Sequence, residues 1–219
     1  MSARVICISR TLGAGGEAVG QLVSHRLGFR YLDEEIISLA AEKAQVDQRL
    51  VANAEHRQTI LARLMDAIAE RGSLQPSSYF KQSRDSSDYV RSTNLPVANL
   101  RSDLKTLIRE AIVEVASGGQ VVIVAHAASF ALAHANEVLR VLVTASEKTR
   151  VQRTWLTGKL LNEADSAAAV TESDHARREY LREFYAVRDE QPTDYDLVIN
   201  TDALEPEPAA ACIIAAANG

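Results

Sequence analysis

Arg4-Val5-Ile6-Cys7-Ile8-Ser9-Arg10-Thr11-Leu12-Gly13-Ala14-Gly15-Gly16-Glu17-Ala18-Val19-Gly20-Gln21-Leu22-Val23 is the stretch on which the reading of the chain turns. Val5 to Ile8 is an uninterrupted apolar, β-branched run, the pattern of a strand buried on both faces. Gly13, Gly15 and Gly16 follow within four residues, where positive φ and close backbone approach let amides converge on an anion. Ala18, Val19, Leu22, Val23 and Leu27 then recur at helical spacing until Gly28. The free N–H groups and positive dipole end of such a helix make a phosphate site. The candidate phosphate- and nucleotide-binding residues are therefore Arg10, Gly13, Ala14, Gly15, Gly16, Glu17 and Ala18. The Walker pattern G-x-x-x-x-G-K-[ST] is not satisfied: Gly16 stands in the place of the lysine and Ala18 in that of the magnesium-binding hydroxyl. An ordinary βα turn would share the strand–loop–helix outline.

Outward from this opening, the pattern repeats. Phe29 to Leu32, Val121 to Val124, Val138 to Val143 and Leu197 to Ile199 are further short apolar strands, separated by helical segments. Five buried strands alternating with helices predict an α/β fold with a doubly wound parallel sheet and helices on both faces. Asp33 ends the second strand, where it either caps the next helix or faces the ligand crevice at the carboxyl ends of the strands. Val46 to Arg71 is helical in pattern, and Gly72 to Pro96 is a polar loop rich in serine, with Lys81, Arg84 and Arg91. That loop is either solvated surface or a flap whose cations meet phosphate. A long amphipathic helix runs from Leu100 to Val115, a charged one from Asp174 to Tyr185, and a closing one from Ala209 to Ala217.

The 219 residues suit one domain, 1–219, with a helical and loop insertion at 34–98. A net charge of −5 and a pI near 5.6 argue against a nucleic-acid partner. Cys7 and Cys212 sit in apolar runs and read as buried free thiols. The N-terminus enters a strand at once, leaving no room for a signal peptide, and the longest mostly apolar run, Val121 to Ala135, is broken by His126, Ser129 and His134. A cytoplasmic protein with no membrane partner is the expectation.

Several blocks carry a family resemblance. Ser9 to Gly16, Leu27 to Ile37, Arg150-Val151-Gln152-Arg153, Asp174-x-x-Arg177-x-x-Tyr180-x-x-x-Phe184-Tyr185 and Tyr195 to Asp202 resemble, in order, the cytidylate kinase-like family of P-loop nucleoside monophosphate kinases. The resemblance implies transfer of the ATP γ-phosphoryl group to a (deoxy)cytidine monophosphate-type acceptor, with ATP and Mg²⁺ as cofactors and nucleotides as partners. It implies that Asp33 and the inserted helices hold the acceptor. It also implies a lid-like region at 155–175, with Arg150, Arg153, Arg177 and Arg178 neutralising the transferring phosphoryl group and Asp174 orienting them or the acceptor. Such chemistry is mostly positioning and charge stabilisation. On residues alone, Arg177, Arg178 and Arg182 also fit a solvated helix face paired with Glu179 and Glu183.

The family's Gly-Arg-Gly after the third strand is here Ala125-His126-Ala127, so His126 is the candidate substrate contact at that point, or else a structural histidine. With the lysine absent, Arg10 or a lid arginine is the candidate replacement. Magnesium ligands are not identifiable from the sequence, with Asp33 and Asp202 both ending strands on the ligand side. Two other classes remain open: a nucleotide-binding regulatory module without turnover, and an interaction protein or homodimer using the Val46–Arg71 helices.

Overall fold

A computed structural model describes residues 2–33, 35–36, 39–40, 97–124, 127–158 and 162–219, with side chains described from Lys105 onward in the helix that opens the fourth of these spans. The chain divides into two compact units, residues 1–36 with 112–219, and residues 37–111. The helices expected at Val46–Arg71 and the polar loop at Gly72–Pro96 lie outside the described residues, as does His126.

The first unit is built on β1 (Val5–Arg10), β2 (Arg30–Leu32), β3 (Val121–Ile123), β4 (Val138–Thr144) and β5 (Leu197–Asn200). These form a five-stranded sheet in the order β2-β3-β1-β4-β5, parallel at every pairing. The fold class expected from the alternating pattern is the one observed. Val5 to Ile8 are buried, as a central strand requires. β1 extends two residues further than its apolar run, carrying Ser9 and Arg10 to the carboxyl edge of the sheet. β5 departs from the expectation of a fully buried strand: it lies at the end of the sheet with β4 as its pairing neighbour, and Val198 is 38% exposed.

Helix α1 (Gly16–Leu27) begins and ends where its glycines predict, and Gly28 closes it with φ 65°. It is followed by α2 (Val97–Ser117), the short α3 (Ala128–Ala131), α4 (Glu147–Leu156), α5 (Glu163–Tyr185) and α6 (Pro206–Asn218). Helix α5 starts eleven residues before the expected Asp174, so the described residues of the region expected to be lid-like belong to the end of α4, the two residues after it and the first half of α5. Its N-cap is Asn162, whose side chain accepts from the Asp165 N–H, a signal that lacks an apolar stripe to advertise it.

The core under the sheet gathers Ile6, Ile8, Val19, Val23, Val141, Val143, Ile199 and Ile213 from β1, α1, β4, β5 and α6. Helix α1 packs against α6, and α4 against α5. Helix α1 lies so near β3 that a Cβ on Gly20 would stand 2.6 Å from Val124 Cγ2. Of the two cysteines, Cys7 is buried and burial pushes its thiol up to about 12. Cys212 is exposed, which corrects the expectation: Ala209, Ile213 and Ala217 form the buried stripe of α6, and position 212 falls outside it. Among the described residues no helix is long and apolar enough to cross a membrane.

Candidate functional site

The strand order places β1 at the middle of the sheet, and the loop leaving its carboxyl end lies where the chain turns first toward β2 and later toward β4. In open α/β sheets this is the ligand crevice. Gly13 and Gly15 adopt φ 79° and 78°, a left-handed conformation that a side chain would strain. Gly15 is the N-cap of α1 and supplies no side-chain cap, so the first-turn amides are left for a ligand or solvent. The opposite side of the loop is closed by α4: a Cβ on Gly13 would lie 2.5 Å from the Arg150 carbonyl oxygen and 2.9 Å from Thr154 Oγ1. Ala14 is fully buried, and its carbonyl accepts a 2.8 Å hydrogen bond from Thr201 Oγ1.

Arg10 lies over this loop. Its Nη2 is 2.7 Å from Glu17 Oε1 and 3.6 Å from Asp33 Oδ2, while its Nε is buried without a hydrogen-bond acceptor. Arg10, Glu17 and Asp33 are thus brought together at the loop mouth. Counted on from Gly16, the Walker hydroxyl position falls on Glu17, which corrects the assignment to Ala18. A magnesium ion takes hard oxygen donors, typically one or two carboxylates with water and phosphate oxygens, and Glu17 with Asp33 is a donor set that fits one. Asp202, the other candidate ligand, holds Ser146, the N-cap of α4: its Oδ2 accepts from the Ser146 N–H at 2.9 Å and its Oδ1 from Ser146 Oγ at 3.2 Å. Hydrogen bonds from Thr149 and Ser146 lower its pKa.

The four arginines of the expected lid have separate surroundings. Arg150 makes a bidentate pair with Asp174 at 2.8 and 2.7 Å, and its side chain is 8% exposed. Arg153 donates through Nη1 to Thr201 Oγ1 at 2.9 Å and through Nη2 to the Thr201 carbonyl at 2.8 Å, which ties α4 to the back of the glycine loop. Arg177 grips Glu190 through Nε at 2.9 Å and Nη2 at 2.5 Å, not the helical neighbours Glu179 and Glu183. The Tyr195 hydroxyl donates to the same Glu190 carboxylate, and burial, then the Glu190 charge, push its pKa up. Arg178 is exposed. Beside Tyr195, Ser9 Oγ and Ser129 Oγ are 3.3 Å apart at the buried end of β1.

A model of the cytidylate kinase-like family matches residues 5–203. The chain belongs to that family. No curated protein matches it. Among solved structures, an uncharacterized protein from Eubacterium ventriosum is 15% identical, with 98% of each chain covered and a TM-score of 0.59. The protein TT1252 from Thermus thermophilus is 17% identical over 100% of each chain, with a TM-score of 0.54. Shikimate kinase from Bacteroides thetaiotaomicron is 15% identical over 95% of each chain, with a TM-score of 0.51. At such identities the likeness is one of fold. The fold and membership in the cytidylate kinase-like family together support a kinase-like role on a nucleotide or small molecule.

Some residues that the structure brings to the candidate site gave no signal in the sequence. Thr201 lies inside the block Tyr195 to Asp202 but is a polar residue just after a strand, indistinguishable there from a turn residue. Glu190 sits in a charged stretch, Arg188-Asp189-Glu190, where nothing singles it out as the partner of an arginine thirteen residues earlier.

Proposed function

We propose that the protein transfers the γ-phosphoryl group of ATP to a (deoxy)cytidine monophosphate-type acceptor. The observation that carries the reading is the glycine loop at the open N-terminus of α1, left-handed at Gly13 and Gly15, with an arginine over it and Asp33 beside that arginine. The loop amides of Gly13 and of Gly15 to Ala18, with the α1 dipole, would hold the donor phosphates, whereas the Ala14 N–H is taken by the Thr11 carbonyl at 3.1 Å. Glu17 and Asp33 would hold a magnesium ion, which when bound supplies neutralising charge between phosphate oxygens. Asp33, His126 and Asp174 are proposed on the acceptor side. Arg150, Arg153, Arg177 and Arg178 are proposed as the lid charges. Arg178 is the exposed member, while Arg150, Arg153 and Arg177 reach a phosphoryl group only by exchanging Asp174, Thr201 and Glu190.

Those three engaged arginines favour a second reading, a nucleotide-binding module without turnover. Loss of one charged transition-state contact costs about 3 kcal/mol or more, so a lid that stays paired leaves little catalysis. A phosphotransfer assay with Mg-ATP against CMP, dCMP, UMP, AMP and GMP separates the two, with shikimate added because one structural neighbour is a shikimate kinase. Diphosphate formed from CMP or dCMP and lost in Arg178→Ala supports the first reading. Silence across the panel with ATP binding retained supports the second.

A further inference from the structure

The Walker lysine is absent from α1, yet the space above the first turn of α1 is filled by a cation. Gly16 occupies the lysine position, and a Cβ built on it would stand 2.6 Å from Arg10 Cβ, 3.0 Å from Cδ and 3.3 Å from Cγ. Gly16 has an ordinary helical conformation, since the positive-φ glycines of the loop are Gly13 and Gly15. The missing side chain at position 16 is therefore explained by space, not by backbone geometry: Arg10 runs through the volume that any side chain there would enter. A lysine at 16 and Arg10 in its present place exclude one another. Counting back from Gly16, Arg10 stands at the first glycine of the Walker pattern, so cation and glycine have exchanged the two ends of the motif.

Its two carboxylate partners engage one end of the guanidinium and leave another N–H open to an anion. The guanidinium reaches the loop mouth, where Glu17 and Asp33 hold it through Nη2 while Nε has no acceptor. A buried N–H left unpaired is destabilising, and an anionic oxygen would relieve it. Arginine offers a planar fork that matches phosphate bidentately, and its charge does not depend on pH in any working range.

We propose that Arg10 is the phosphate-clamping cation of this loop, delivered from the end of β1 in place of the helix-borne lysine, and that Gly16 is glycine to admit it. The inference deepens the nucleotide reading above and rests on it. Isothermal titration of ADP in the presence of Mg²⁺ into the full chain tests it, using wild type, Arg10→Ala, Gly16→Ala and the exchange variant Arg10→Gly/Gly16→Lys, which also removes the Cβ at position 10, each checked by thermal melting. Arg10→Ala is expected to weaken ADP binding about tenfold or more, the size of one charge-assisted contact. Gly16→Ala, which keeps the arginine but takes its space, is expected to lose a similar factor. The exchange variant is expected to recover most of the affinity, because the lysine re-enters the vacated volume. Wild-type affinity in both Arg10→Ala and Gly16→Ala overturns the proposal, as does an exchange variant that melts like wild type and binds no better than Arg10→Ala. A wild-type chain that binds no ADP or ATP shows instead that the nucleotide reading itself is wrong, before any variant is made.

Discussion

Arg177, Glu190 and Tyr195 form a partly buried ionic cluster whose members depend on one another. The Arg177 and Glu190 side chains are 20% and 17% exposed, so neither charge has water enough to stand alone. Removing one partner of such a pair leaves the other uncompensated, which is the costly half of burying charge. Glu190→Gln is expected to destabilise the protein by about 2 kcal/mol or more in urea unfolding. The triple variant Arg177→Met/Glu190→Leu/Tyr195→Phe is expected to recover much of that loss, because it leaves no charge or hydroxyl of the cluster unpaired. A single variant with wild-type stability would show that Arg177 finds another acceptor. At the same scale, the family resemblance points to Arg177 as a residue type in a spacing, but its engagement with Glu190 is invisible in the sequence, because the loop Arg188 to Gln191 has no pattern that fixes where it folds back.

At the scale of elements, α1 and the β4–β5 pair each include a contact that one substitution can test. Gly20 of α1 faces Val124 at the end of β3, and a Cβ there would lie 2.6 Å from Val124 Cγ2 and 3.2 Å from a Tyr31 ring carbon. Gly20→Ala would ordinarily favour a helix, yet here it is expected to destabilise by about 1–3 kcal/mol through overpacking, read as a lowered melting temperature. At the other end of the sheet, Asp196 receives Arg140 through its backbone N–H at 2.8 Å and through its guanidinium Nε at 3.0 Å and Nη2 at 2.6 Å. The Arg140 hydrogen bond holds the Asp196 carboxyl below its ordinary value of 3.8. A depressed folded-state pKa stabilises the fold above the unfolded value and is lost as pH falls toward the folded one. Asp196→Asn is therefore expected to cost about 1 kcal/mol at neutral pH and to make the decline between about pH 5 and 2 shallower in unfolding titrations. An unchanged acid limb would mean that the pair adds nothing to β5 docking.

Across the whole molecule, Thr201 joins segments far apart in the chain. Its hydroxyl donates to Ala14 in the loop and accepts from Arg153 in α4, and it follows directly on β5. Thr201→Val keeps the shape and removes both bonds at a buried position, so a loss of about 2 kcal/mol is expected. A ligand bound to the folded state at a hundred times its Kd adds about 2.7 kcal/mol, so the ADP-induced rise in melting temperature is a direct reading of loop integrity. That rise is expected to shrink in Thr201→Val, and an undiminished rise would show that the loop holds its shape without this tie. The sequence by itself determined the strand–glycine–helix opening, the parallel sheet and the family, because these rest on local patterns: an apolar run, glycines at set spacing, an i, i+4 stripe. Only the tertiary structure decided that Arg10 overlies Gly16, that Asp202 holds the N-cap Ser146, and that Thr201, Arg153 and Ala14 meet. Each of these is a pairing of side chains or backbone across turns and strands, and specific long-range contacts follow from packing, which no local pattern in the chain encodes.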